Sequence, residues 1–216
     1  MNKRQQAIQL AWFGLLGIAA LVLAWALVAY AMVAHAGECN LPERAQSYER
    51  LIKNAVIQHW PRKSHKHWCR LAAQCYVESG FNPKAKSPVG AKGLCQLLPG
   101  TFAEVAGQNS IRGNAWNPNA NLQAGAAYKQ RMRNFWTSPR PYECREDLAI
   151  ASYNAGPGSI LKAQREAGGA LCWDEIGPVL HKVTGRHSKE TLDYVRRVRL
   201  IEQCFAIPRR RSSCRW

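Results

Sequence analysis

From Leu10 to Ala34 the chain runs without a single charged side chain. A helix of roughly 20 apolar residues crosses the hydrocarbon core of a bilayer, so this run is long enough to span one. Lys3 and Arg4 precede it, and a long polar remainder follows. Basic flanks stay on the cytoplasmic side, which puts residues 1–9 inside and everything after the run outside. A second reading stays open: Ala34-His35-Ala36 before Gly37 has the small-x-small form of a cleavage site, and would make 10–34 a removed signal segment. The length of the run exceeds an ordinary signal core and favours an anchor. Either way the remainder is an exported domain, with a leading helix and connection at 37–60, a main domain at 61–207 and a basic tail at 208–216.

Export gives the cysteines their meaning. Cys39, Cys69, Cys75, Cys95, Cys144, Cys172, Cys204 and Cys214 all follow the apolar run, and an even number beyond a membrane reads as disulfides. Cys204 and Cys214 are spaced to staple the tail onto the last helix. No Cys-x2-Cys pair occurs, and His59, His65 and His67 lack the HExxH arrangement of a zinc site. No metal and no cofactor is therefore expected. The net charge of +16, from 30 Lys and Arg against 14 Asp and Glu, favours a polyanionic partner: nucleic acid, anionic headgroups or an anionic wall polymer. No finger spacing or groove-reading helix accompanies it, so specific nucleic-acid binding is not expected.

Helical periodicity dominates the exported part, which reads as mainly α. The pattern predicts a helix over 42–60 stopped by Pro61, and a central one over 68–78. Thr101 to Glu104 reads as a capping box opening a short helix. A longer helix is predicted over 121–136, with Lys129, Arg131 and Arg133 on the polar side, and a short one over 145–154. The run Ala155-Gly156-Pro157-Gly158 stops the latter, residues 168–185 are less regular, and a last helix covers about 189–207.

In the central helix Trp68, Leu71, Ala72, Cys75 and Glu78 recur at three- and four-residue spacing and share a face. A glutamate on an apolar face is desolvated and held protonated near neutrality, as a general acid must be. The spacing equally allows a helix-terminal glutamate turning to solvent beside Gly80. No second acid stands near Glu78 in the sequence; Glu104 and Asp147 belong to other predicted helices. There is no phosphate-binding loop and no Gly-x-Ser-x-Gly elbow. A single glutamate suffices where the substrate brings its own nucleophile, because it can act first as acid and then as base.

Several motifs, in order, give this chemistry a setting. Glu78-Ser79-Gly80-Phe81-Asn82-Pro83 matches an ES-x-x-NP box, and Ser87 to Leu97 matches S-x-x-GA-x-GLMQ. Ala151 to Gly158 matches A-x-YNAG-x-G, Glu190 to Val195 matches ET-x-x-YV, and Asn117 to Leu122 adds a weaker match. Over roughly residues 60–205 the chain resembles the catalytic domain of the soluble lytic transglycosylases, a lysozyme-like family that also resembles goose-type lysozyme. The resemblance implies cleavage of the MurNAc-β-1,4-GlcNAc bond of peptidoglycan with a 1,6-anhydro product. It makes Glu78 the single acid and base and Tyr194 the residue that orients it. Ser87 would meet the N-acetyl region, and Gln96, Tyr153 and Asn154 would line sugar subsites. Cys95 departs from the family's Met, and either Cys75 or Cys69 could bridge to it. The implied partners are glycan strands and the bacterial inner membrane, with the domain on the periplasmic side; a bacterial enzyme and a phage-encoded lysis enzyme fit alike. A hydrolytic muramidase on the same fold and a non-catalytic wall-binding protein are the alternatives.

Overall fold

Helices carry the architecture: among the described residues no strand forms, and only isolated bridges join Lys86 to Lys92 and Lys92 to Leu97. The computed structural model describes residues 44–62 and 67–206, all within one unit spanning 41–216. The expected spanning run at 10–34, the tail at 208–216, Cys39, Cys214 and His65 lie outside them. Among the described residues no helix is long and apolar enough to cross a membrane.

In chain order the helices are α1 (Arg44–His59), α2 (Trp68–Ser79), α3 (Pro99–Gln108), α4 (Pro118–Phe135) and α5 (Tyr142–Ala155). They continue as α6 (Pro157–Glu166), α7 (Trp173–Ile176), α8 (His181–Thr184) and α9 (Ser188–Ala206). Single 3-10 turns at 177–179 and 185–187 link the short pieces of the segment predicted to be irregular.

Several boundaries differ from expectation, among them the start of α5 at Tyr142 rather than at residue 145, and three of the differences have a clear local reason. α3 starts at Pro99 rather than at a Thr101 cap, because proline is preorganised for the first helical turn, where its missing N–H costs nothing. α4 starts at Pro118 for the same reason, with Asn117 accepting from the Ala120 N–H. The Gly-Pro stop after α5 proves to be a one-residue turn: Gly156 lies at φ 79°, and Pro157 then opens α6, which the pattern had not predicted.

α2 is the axis of the domain. It packs against α1, α4 and α9, and every residue from Trp68 to Cys75 is buried. One apolar cluster gathers α1, α2 and α4 around Phe81, Leu94 and Cys95. A second joins Ala73 to α5, α6, α7 and α9, and a third seats α3 on α4. Burying a side chain such as Leu71 contributes roughly 2 kcal/mol.

Surrounded on all sides, α2 also buries Arg70 and Gln74, so the one-face reading of this helix was too narrow. The same crowding overturns the assignment of Lys129 to a polar side. Lys129 is 1% exposed, because α4 lies between neighbours on both flanks, and its ammonium donates to Gln74 Oε1 at 3.0 Å. Arg133, expected beside it in solvent, is mostly covered and paired with Glu146, itself buried.

Candidate functional site

Glu78 stands on the last turn of α2. Gly80, at φ 58°, ends the helix with a left-handed residue whose N–H donates to the Tyr76 carbonyl, the conformation in which glycine carries no Cβ penalty. Phe81 follows at φ 59° although it has a side chain. Its ring is fully buried against Tyr48, Tyr76 and Phe205, and that packing holds a backbone conformation costing on the order of 1 kcal/mol.

The segment after Phe81 folds back onto α2 and is fastened there twice. Ser79 Oγ donates to the Leu94 carbonyl at 2.8 Å, and Cys75 is bonded to Cys95. Of the two partners open to Cys95, the structure therefore takes Cys75. Cys144 pairs with Cys172, and Cys69 and Cys204 each take part in a disulfide of their own.

Cys95 is a junction. Its N–H donates to Asn121 Oδ1 at 2.8 Å, and its carbonyl accepts from the Tyr153 hydroxyl at 2.8 Å. Asn121 also donates to the carbonyls of Lys92 and Ala115 at 3.0 and 2.9 Å. A Cβ on Gly125 would lie 2.6 Å from Cys95 Sγ, so α4 admits the bridge only because that residue is glycine.

These contacts shape a cleft of about 330 Å³. Glu78, Ser87, Gln96, Tyr153 and Asn154 all line it, together with Val89, Leu98, Thr101, Tyr128 and Glu190. Tyr194, the remaining predicted site residue, is buried behind Glu78 and donates its hydroxyl to Oε1 at 2.5 Å. Ser87 Oγ accepts from the Ala91 N–H at 3.0 Å. Gln96, at φ 46°, donates its amide to the Ala85 and Gly93 carbonyls at 3.0 and 2.9 Å. Asn154 Oδ1 accepts from Thr191 at 2.8 Å, and Tyr153 packs edge-on to Tyr128 with ring centres 4.9 Å apart.

Burial pushes the Glu78 carboxyl up from its ordinary 4.5 to about 7. The Tyr194 hydrogen bond opposes that rise, Glu190 adds to it, and Arg197 again opposes it. Tyr194 is itself pushed well up, first by burial and then by the Glu78 charge, so its hydroxyl stays protonated and remains a donor. Such a site holds a proton near neutrality and can also release one, which is what an acid that later acts as base requires.

Sequence reasoning missed Glu190. A second carboxylate does border the cleft, from the first turn of α9, largely exposed to water. The signal was present, since Glu190 stands four residues before Tyr194 and so lies on the same side of one helix. Tyr128, Leu98 and Val89 were also missed; nothing in their local pattern marks them. Among the described residues no cluster of His, Cys, Asp and Glu is arranged to hold a metal.

Residues 55–175 match the model of the transglycosylase SLT domain. The membrane-bound lytic murein transglycosylase F of Shewanella sediminis is 34% identical over 63% of this chain and 30% of its own length. The soluble lytic murein transglycosylase of Salmonella typhimurium is 39% identical over 38% of this chain and 13% of its own. Among solved structures, the 70 kDa soluble lytic transglycosylase of Escherichia coli superposes with a TM-score of 0.59 at 26% identity, covering 73% of this chain and 24% of that one. The chain thus spans about a third or less of the length of these relatives.

Proposed function

The chain belongs to the transglycosylase SLT domain family, and we propose that it is a peptidoglycan lytic transglycosylase in which Glu78 serves as the only acid and base. The observation that carries this reading is the pairing of a cleft-lining glutamate, held near neutrality by burial, with the buried hydroxyl of Tyr194. Glu78 protonates the glycosidic oxygen between MurNAc and GlcNAc. The N-acetyl group of the same MurNAc assists at C1, which removes the need for a carboxylate nucleophile. Glu78, now ionised and held by Tyr194, takes the proton of the C6 hydroxyl as that oxygen closes onto C1. Bond formation to O6 replaces the bond to the leaving sugar, and water is not consumed.

The supporting side chains divide by what their existing hydrogen bonds leave over. Ser87 accepts from the Ala91 N–H, which leaves its O–H to donate to an N-acetyl carbonyl. Asn154 accepts from Thr191 through Oδ1, leaving Nδ2 as a donor. Gln96 uses Nε2 on the loop and keeps Oε1 as an acceptor. Tyr153 is committed through its hydroxyl and offers its ring.

The uncharged run at 10–34 supports an anchor or export segment, and the disulfides support an oxidising compartment. The domain then acts beside the inner membrane, where its +16 charge suits an anionic wall. Glu190 favours one alternative, since a second acid could activate water in a hydrolytic muramidase. Digestion of purified peptidoglycan with the full chain separates the two: mass spectra should show anhydro-MurNAc ends, lighter by one water than reducing ends. Glu78→Gln should abolish release. Reducing MurNAc as the first product, or full lysis by Glu78→Gln, overturns the assignment.

A further inference from the structure

A second hollow adjoins the cleft. Asn154 and Glu190 border both, and Ala155, Thr184, His187 and Thr191 complete a further space of about 280 Å³. Small-ligand pockets start at roughly 300 Å³, so this one has room for a side branch of a polymer that lies in the cleft. Thr184 is the last residue of α8, and His187 ends the 3-10 turn that follows it. Both lie past residue 175, where the match to the SLT domain ends, and outside the motifs that build the cleft.

The two spaces are lined by different chemistry. Val89, Leu97, Leu98, Tyr128 and Tyr153 give the cleft apolar and aromatic surface, against which the C–H faces of sugar rings pack. In the adjoining space every lining residue except Ala155 is polar. Thr184 Oγ1 donates to the Leu180 carbonyl at 3.3 Å, and Thr191 Oγ1 donates to Asn154 Oδ1 at 2.8 Å. Each hydroxyl keeps lone pairs for an amide N–H, and Asn154 keeps Nδ2 for a carbonyl. Donors and acceptors side by side suit a peptide better than a sugar ring. Lys182, Arg186 and Lys189 are exposed on the same short stretch. Three cations against the carboxylate of Glu190 favour an anionic ligand.

We propose that this space binds the acidic stem peptide of peptidoglycan, and that Thr184 and His187 make peptide-bearing glycan the preferred substrate. The proposal rests on the cleft being the place where the glycan is cut. The peptide branches from the lactyl group of MurNAc, the sugar whose C1 reacts. A MurNAc seated beside Glu78 therefore carries its branch next to Asn154 and Glu190, which the two spaces share. The exposed His187 imidazole donates to a carbonyl or carboxylate of that branch, and the basic stretch draws in its negative charge.

The test measures kcat/KM of the full chain on soluble glycan strands of three kinds: with stem peptides intact, with peptides removed by an amidase, and with the peptide carboxylates converted to amides. Wild type should favour intact over stripped strands about tenfold, the worth of one or two net hydrogen bonds, and should lose most of that preference on amidated strands. His187→Ala and Thr184→Val should each lower kcat/KM on intact strands about fourfold and leave it unchanged on stripped ones. Equal kcat/KM on intact and stripped strands overturns the proposal, as does a full preference for amidated strands. A wild-type preference that both variants retain also overturns it, and so does an equal loss on every substrate, which a merely structural role would give. Equal cleavage of intact and stripped strands with anhydro ends removes only the peptide site. Failure of wild type to cleave any strand removes the transglycosylase reading, and the peptide site with it.

Discussion

Glu78 should destabilise the fold that uses it. A carboxyl whose folded pKa is raised binds its proton more tightly in the native state than in the unfolded chain. Stability is therefore unaffected below the unfolded pKa of 4.5, falls as pH rises, and is lowest once pH exceeds the folded value of about 7. At 1.36 kcal/mol per pKa unit, the shift corresponds to about 3 kcal/mol. Glu78 lines an open cleft and keeps some contact with water, so about 2 kcal/mol is expected. Glu78→Gln removes the ionisation and retains an acceptor for Tyr194. Urea unfolding of both proteins should give equal stability at pH 4.5 and an advantage for the variant of about 2 kcal/mol at pH 8.5, or roughly 5 °C in melting temperature. Glu202, also pushed up to about 7 by burial, gives both proteins the same pH trend and cancels in the difference. A difference that does not change with pH, or a variant less stable at pH 8.5, would refute the reasoning.

Two further substitutions test the junction at Cys95. Gly125→Ala should destabilise by about 1–3 kcal/mol, because its Cβ would meet Cys95 Sγ at 2.6 Å; chemical denaturation of the oxidised protein measures this. Asn121→Ala removes three hydrogen bonds, two that hold the segment 92–95 to α4 and one to the Ala115 carbonyl, and should cost about 2–4 kcal/mol and lower kcat more than KM is raised, read from unfolding curves and lysis rates.

The site was more legible in the sequence than the interior that supports it. Glu78, Ser87, Gln96, Tyr153 and Asn154 meet in one cleft because each sits in a motif whose turn or helix end fixes its direction. Tyr194 was likewise anticipated behind the acid. Lys129 was misread because periodicity records only polarity, and a buried lysine bonded to a glutamine looks the same in sequence as one in water. Its partner Gln74 lies 55 residues away, a separation that no local pattern spans. Helix starts at Pro99 and Pro118 were hidden by cap-like residues further along. α6 was hidden by Gly156-Pro157, a pair that ends one helix and begins another with equal ease.

The bond between Cys75 and Cys95 makes a covalent ring of the segment that carries both Glu78 and Ser87. A ring has no loose end. The exposed stretch around Asn82, Lys84, Lys86 and Val89 can be cut by a protease without the two sides separating, and the pieces would part on a gel only after reduction. Closure also shortens the list of shapes open to the unfolded chain, worth about 3 kcal/mol for a loop of this size. The two walls of the cleft, anchored at the ring's clasp and at Asn121 and Tyr153, thus keep their separation even where the rim between them is cut.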